Sequence, residues 1–174
     1  IDQGFAFGHG NGTNHHYGYN IRKIYDAMWL MRDKIAARGK TDEYVKVLAY
    51  WSGLAETRKP YVYGRDELLD SWHTLLIPKI VSALMLPDEA EQYRAMKSLG
   101  VWLSGSLGFT PGTIGGIKPD GTTFHHGGFY PAYSTGAFAM IGYFCKATRG
   151  TDFTLSEQAR RNFKLALMTM ASYT

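Results

Sequence analysis

Apolar side chains recur at intervals of three and four along most of the chain, the period of a helix with one buried face. From Tyr19 onward Ile21, Ile24, Tyr25, Met28, Met31 and Ile35 keep this spacing, and Gly39 supplies a stop. Thr41 reads as the N-cap of a second helix, with Asp42 and Glu43 in an acidic first turn and Tyr44, Val47, Leu48 and Trp51 continuing it. Gly64 to Leu86 reads as a third helix, kinked at Pro78. Pro87, Asp88 and Glu89 open a fourth, which runs through Tyr93, Met96 and Leu99 towards Leu103. A fifth spans Ser134 to Thr148, and Ser156 caps a sixth that carries Phe163, Leu167 and Met170 on one face. Strand-like alternation is scarce, with short strands expected only around Gly115, Gly116 and Ile117. The pattern predicts an all-α fold whose successive helices run antiparallel, because most linkers are short.

Two stretches interrupt the helical period. The first, through Gly18, is rich in Gly, His and Asn and reads as loop; the second runs from Gly105 to Tyr130. Loops this long inside a compact domain are uncommon unless they serve a function. These two hold five of the six histidines: His9, His15 and His16, then His125 and His126. The sixth, His73, falls mid-helix beside Trp72 and reads as structural. The stretch from Asp120 to Tyr133 sets the paired histidines seven and eight residues before a tyrosine. Proton-exchanging side chains on an irregular segment are what an acid/base site needs. On this pattern alone, plain loop hydrogen bonding explains His126 and Tyr133 equally well.

Composition narrows the classes. At 174 residues and 45% hydrophobic, the chain buries a core of about one domain. Its net charge of +4 is mild and its acidic residues are interspersed, unlike a basic nucleic-acid-binding tail; an anionic polymer suits the bias. No apolar run reaches the roughly 18 residues of a membrane span. Ile1 is neither an initiator Met nor the start of a signal peptide, so residues 1–174 read as one piece of a longer polypeptide. The single Cys145 excludes an internal disulfide and sits in an apolar run, expected buried and inert. Gly8 to Gly12 lacks both the GxxxxGK[ST] pattern and a preceding strand, and no GxSxG is present. The histidines of the two loops are candidates to converge on a metal, yet no HExxH or cysteine pairing supports one, and no cofactor is expected. Trp29, Trp51, Trp72 and Trp102 lie on helical stripes and read as core, whereas Tyr17, Tyr19, Tyr130 and Tyr133 sit in or beside the histidine segments. Of these, Tyr133 and one other are favoured for function.

The run from Lys118 to Ser134 resembles the active-site segment of chondroitin sulfate ABC lyases, glycosaminoglycan lyases of the hyaluronate/chondroitin lyase family. In that segment a Pro-Asp-Gly-Thr core precedes the catalytic His, and the catalytic Tyr follows seven residues later; these positions fall here on His126 and Tyr133. Asn14 to Tyr19 resembles the family's His-aromatic-Gly-Tyr element, whose histidine, tied to the iduronate reaction, falls on His16. His125 stands where some relatives carry Arg. The family's catalytic Arg and Glu are expected beyond Thr174. The resemblance implies an incomplete (α/α) toroid of helical hairpins followed by β-sandwich domains, with residues 1–174 forming part of the toroid only. It further implies a bacterial protein exported to the periplasm or beyond the cell, and a stretch inactive by itself.

The activity so implied is β-elimination at the uronate C4–O bond of chondroitin and dermatan sulfate. Removing the C5 proton requires that the carboxylate be neutralised, that a base stand near C5 and that an acid protonate the departing O4. In glucuronate the proton and O4 share one side of the ring, so Tyr133 suffices for both transfers. In iduronate the proton projects to the other face, and His16 is the candidate base there. His126 would hold the carboxylate, with Asn14 or His125 assisting. Two rival classes stand beside the lyase. A toroid-fold glycoside hydrolase would use paired carboxylates, but the loops offer only Asp2 and Asp120, the latter in a turn. A non-catalytic glycan-binding domain would keep the cleft without the chemistry.

Overall fold

The computed structural model describes residues 14–63 and 68–173, and the chain over these residues is mainly helical. Helices α1 (Asn14–Leu30), α2 (Arg32–Ala37) and α3 (Thr41–Ser52) are followed by a 3₁₀ turn, Leu54–Arg58. Then α4 (Leu68–Asp70), a π-helical turn (Ser71–Leu75) and α5 (Leu76–Leu84) run directly into one another. Helix α6 (Glu89–Ser106) leads to a small sheet of β1 (Gly116–Ile117), β2 (Thr123–His125) and β3 (Gly128–Phe129). Helices α7 (Pro131–Ala147) and α8 (Glu157–Ala171) complete the described elements.

Several boundaries follow the sequence signals. The Asp88 side chain accepts from the Glu91 N–H at 2.8 Å, capping α6, and Ser156 accepts from the Ala159 N–H to cap α8. Others differ. Helix α1 begins at Asn14 and takes in residues expected to be loop, and Met31 divides what was expected to be one helix. Thr41 is the first helical residue of α3 and not its cap; Lys40 holds that position without a side-chain bond. Of the third predicted helix, residues 64–67 lie outside the described residues.

The kink expected at Pro78 appears one turn earlier, as the π-helical turn. Proline has no N–H to offer the carbonyl four residues back, and its ring crowds that carbonyl, here Thr74. The backbone widens around it, and the Thr74 hydroxyl donates to the Asp70 carbonyl at 2.8 Å. This widened turn packs against both α1 and α7.

Two apolar clusters form the core. The larger joins Trp72, Leu76, Leu99, Leu103, Ile117, Phe138, Ile141 and Phe144 among others. The smaller joins Ile21, Tyr25, Met28, Ile35, Val45 and Leu48 to Val81 of α5 and to Met85, the residue that follows it. The Trp72 indole, drawn into the larger cluster, donates to Ser106 Oγ at 2.9 Å, and the Tyr25 hydroxyl in the smaller one donates to the Leu48 carbonyl at 2.8 Å.

Lys79 is the costliest inclusion, with 1% of its surface exposed. Its ammonium donates to the Ser52 carbonyl at 2.6 Å, pairs with Glu56 Oε1 at 2.8 Å and lies 5.6 Å from the centre of the Trp102 ring. Removing one partner of a buried pair strands the other charge, whereas replacing both need not. Glu56→Ala should therefore lower unfolding free energy by about 3 kcal/mol, and Lys79→Met combined with Glu56→Gln should recover most of that loss. Denaturant melts of the unaltered protein and the two variants check this ordering.

Candidate active site

The strands β2 and β3 pair antiparallel, with Phe124 opposite Phe129 and His125 opposite Gly128. Only His126 and Gly127 remain for the turn, and a two-residue turn matching the strand twist needs positive φ at both positions. The observed values are 51° and 76°. Gly127 adopts this freely. His126 is the only non-glycine residue with positive φ among the described residues, at a strain on the order of 1 kcal/mol. His126 stands exposed at the tip of this turn, while His125, the last residue of β2, is fully buried.

Beneath the hairpin lies Asp70, a buried carboxylate at the start of the π-helical turn. The Tyr19 hydroxyl of α1 donates to its Oδ1 at 2.6 Å, and His125 Nε2 lies 3.4 Å from its Oδ2. Burial, followed by the bond to Asp70, pushes the Tyr19 hydroxyl well above the usual tyrosine range. Tyr19 is thus a fixed donor at neutral pH.

The sequence then turns into α7. Pro131 occupies the first helical position, where its missing N–H and preset φ suit the helix. Tyr133 therefore lies in the first turn of α7, not on the irregular loop expected for it. The hydroxyls of Thr123 and Ser134 bond hairpin to helix. Four rings gather at this junction. The His125 ring centre is 3.8 Å from that of His126 and 4.6 Å from that of Tyr133; Tyr133 is 4.9 Å from Tyr130. His126 and Tyr133 stand 6.2 Å apart with their planes at 74°. An exposed imidazole and a half-buried phenol at this spacing can share the proton transfers of a single bound substrate.

A family profile described as "Lyase, catalytic" matches residues 1–174. The chain belongs to this lyase catalytic family. It is 36% identical to the chondroitin sulfate ABC exolyase of Bacteroides thetaiotaomicron over 176 residues, covering 99% of this chain and 17% of the relative. It is 30% identical over 174 residues to a chondroitin sulfate ABC exolyase of Proteus vulgaris, with 100% of the chain and 18% of the relative covered. A chondroitin sulfate ABC endolyase of the same organism is 30% identical over 176 residues, with 100% and 17% covered. The chain thus spans about one sixth of the length of the curated relatives it matches. The resemblance read from the Lys118–Ser134 segment holds at the level of the family.

Within this lyase domain, His125, His126 and Tyr133 come together at the hairpin. Asn14 and His16 fall in the first turn of α1 by their backbone, and their side chains lie outside the described residues, as does His9. Asp120 serves its turn, accepting from the Thr122 N–H at 2.9 Å and the Thr122 hydroxyl at 2.7 Å, and these bonds hold its carboxyl below the usual range. Cys145 is half-buried, and burial pushes its thiol up. The sequence reading missed Asp70. Its signal was a single carboxylate inside the apolar run from Leu68 to Trp72. Asp70, His125 and His126 also bring their ligating atoms within 4.8 Å of one another, a set that could hold a metal ion.

His73, read as structural, lines an open hollow of about 360 Å³ with Tyr19, Ala132, Tyr133, Thr135 and Gly136. Its ring meets Tyr19 edge-on at 5.5 Å. The strain at His126 offers a direct test of its role. Replacement by glycine relieves the positive φ, so His126→Gly should leave folding stability equal or up to about 1 kcal/mol higher. If His126 serves chemistry rather than the hairpin, activity should collapse in the same protein. Thermal melts and turnover measured together decide this.

Proposed function

We propose that this chain forms part of a larger catalytic domain, a helical toroid, in a polysaccharide lyase that cleaves chondroitin sulfate and dermatan sulfate by β-elimination at the uronate C4–O bond. The observation that carries the reading is the pairing of a strained, exposed His126 with Tyr133 over a common buried support. The three relatives, named as chondroitin sulfate ABC lyases, supply the substrate class.

In this mechanism Tyr133 removes the C5 proton of a glucuronate and returns a proton to the departing O4. His126 hydrogen-bonds the carboxylate, which spreads the charge that develops when C5 is deprotonated. His125 is buried, so it acts by bracing His126 and Tyr133 through ring contact. His16 is the base for iduronate, on the opposite face, with Asn14 beside it. Support for this placement comes from α1. His16 lies three residues before Tyr19, a spacing that sets two positions on one side of a helix, and Tyr19 is bonded to the Asp70 under the hairpin. The catalytic Arg and Glu of the family, and the helices that would complete the toroid, are contributed by other parts of the polypeptide. Exposed apolar side chains such as Val101, Tyr143 and Met168 suit burial against them.

Tyr133→Phe in the intact enzyme should lower turnover on both epimers by on the order of a hundredfold to ten-thousandfold while polymer binding persists. Formation of the unsaturated product, read by the ultraviolet absorbance of its new C4–C5 double bond, measures it. Near-normal turnover would remove Tyr133 from the chemistry, and a wild-type enzyme that binds polymer without making unsaturated product would be a glycan-binding protein.

The two-base scheme makes a sharper demand. An imidazole with an unperturbed pKa of about 6.5 is mostly neutral at pH 7 to 8 and can accept a proton. His16→Ala should therefore damage dermatan sulfate cleavage far more than chondroitin sulfate cleavage, because only iduronate needs a base on the second face. Comparing kcat/KM for the two polymers on the same variant tests this, and equal losses would leave His16 a structural residue.

A further inference from the structure

The hollow beside Tyr133 does not end at His73. On the other side of that residue lies a second hollow of about 270 Å³, bordered by Arg22, Lys23, Asp26, Thr74, Ile77, Pro78 and Met140. His73 lines both, so the two hollows adjoin at its ring, a trough in two parts with Tyr19 and Tyr133 on one and the cations of α1 on the other. Its far half offers apolar surface from Ile77, Pro78 and Met140, and a cationic edge from Arg22 and Lys23.

Arg22 is built into this trough. It is half-buried, and its Nη1 lies 3.3 Å from His73 Nε2. Burial, then the Arg22 charge, lowers the His73 pKa, so the neutral ring accepts from the guanidinium. His73 is itself confined, since a Cβ at Gly136 of α7 would stand 2.6 Å from its ring. This contact orients the guanidinium but leaves its charge unbalanced: among the described residues no carboxylate lies within 4 Å of Arg22. The nearby Asp26 is engaged with Lys23 at 3.4 Å. A planar, always-charged fork held by a neutral partner is suited to a doubly accepting oxyanion.

We propose that Arg22, oriented by His73, forms an anion subsite that receives a sulfate ester or carboxylate of the sugar next to the one reacting at Tyr133. Lys23 is paired with Asp26, which leaves Arg22 the net positive charge of the hollow, and the apolar floor takes the face of that sugar. The proposal rests on the glycosaminoglycan-lyase reading above, and adds a residue that grips the polymer away from the bond being cleaved.

The test uses the intact enzyme carrying Tyr133→Phe, so that polymer is bound and not consumed. Affinity for chondroitin sulfate and for chemically desulfated chondroitin is measured across salt concentrations, with Arg22 intact and as Arg22→Gln or Arg22→Lys. Arg22→Gln should weaken binding about tenfold and reduce the slope of log Kd against log salt by on the order of one unit, because one ion contact is lost. Arg22→Lys should restore the slope but only part of the affinity, since the charge returns without the fork. A loss confined to the sulfated polymer assigns the subsite to sulfate, and an equal loss on both assigns it to the carboxylate. Unchanged affinity, or weakened binding with an unchanged slope, overturns the proposal. Absorbance of unsaturated product from the wild-type enzyme is recorded alongside. Its absence, with the Arg22 effect present, would sink the lyase reading and leave the subsite standing.

Discussion

A carboxylate taken out of water has to be met by polar partners, and Asp70 is met from two directions, by a hydrogen bond from Tyr19 and by the His125 ring at 3.4 Å. The Tyr19 hydroxyl approaches from α1 and the His125 ring from the β2–β3 hairpin, while Asp70 itself begins the π-helical turn. Three segments distant in sequence thus share one buried charge. Hydrogen bonds to a charged group contribute about 1.5 to 3 kcal/mol each, and leaving the charge unmet costs more. The arrangement therefore fixes the hairpin to the helices with a directional contact, where apolar packing alone would permit sliding.

Everything exposed at the site is carried on that joint. His126 is held in a left-handed backbone conformation at the tip of a turn too short to offer an alternative. Tyr133 is held in the first turn of α7 by Pro131, by the hydroxyl contact between Thr123 and Ser134, and by ring contact with His125. The strain is local and the support is buried, the usual division between reactive and stabilising parts of a protein. Both rings are thus held in a fixed relation to one another, which lowers the entropic cost of positioning them.

Helix α5 ties this region to the remainder of the described chain. Leu76 and Ala83 belong to the larger apolar cluster, and Val81, with Met85 just after the helix, belongs to the smaller one formed with α1, α2 and α3. Movement of α1 relative to the hairpin would have to disturb both clusters as well as the Tyr19–Asp70 bond. The trough between α1 and α7 is consequently framed by elements that are independently anchored, so its cations keep their place relative to Tyr133.

Much of this was legible in the amino-acid sequence, because helices announce themselves through short-range periodicity. The helical segments and their rough limits, the helix start at Pro87–Glu89 and the cap at Ser156, and the grouping of His125, His126 and Tyr133 depend on residues within a few positions of one another. The family emerged from one such local run. The displaced boundaries have local causes too, but ones that compete: Pro78 acts on the carbonyl of Thr74, so the disturbance falls upstream of the residue that causes it. Only the tertiary structure decided that Asp70 supports the hairpin, that His73 lines a trough, and that Arg22 stands at its end. Tyr19 and Asp70 are 51 residues apart, as are Arg22 and His73. No period relates positions so distant; their meeting is set by how the helices pack around the π-helical turn. Sequence by itself determined which chemical groups were present and which helices carried them, and packing determined which of those groups face one another.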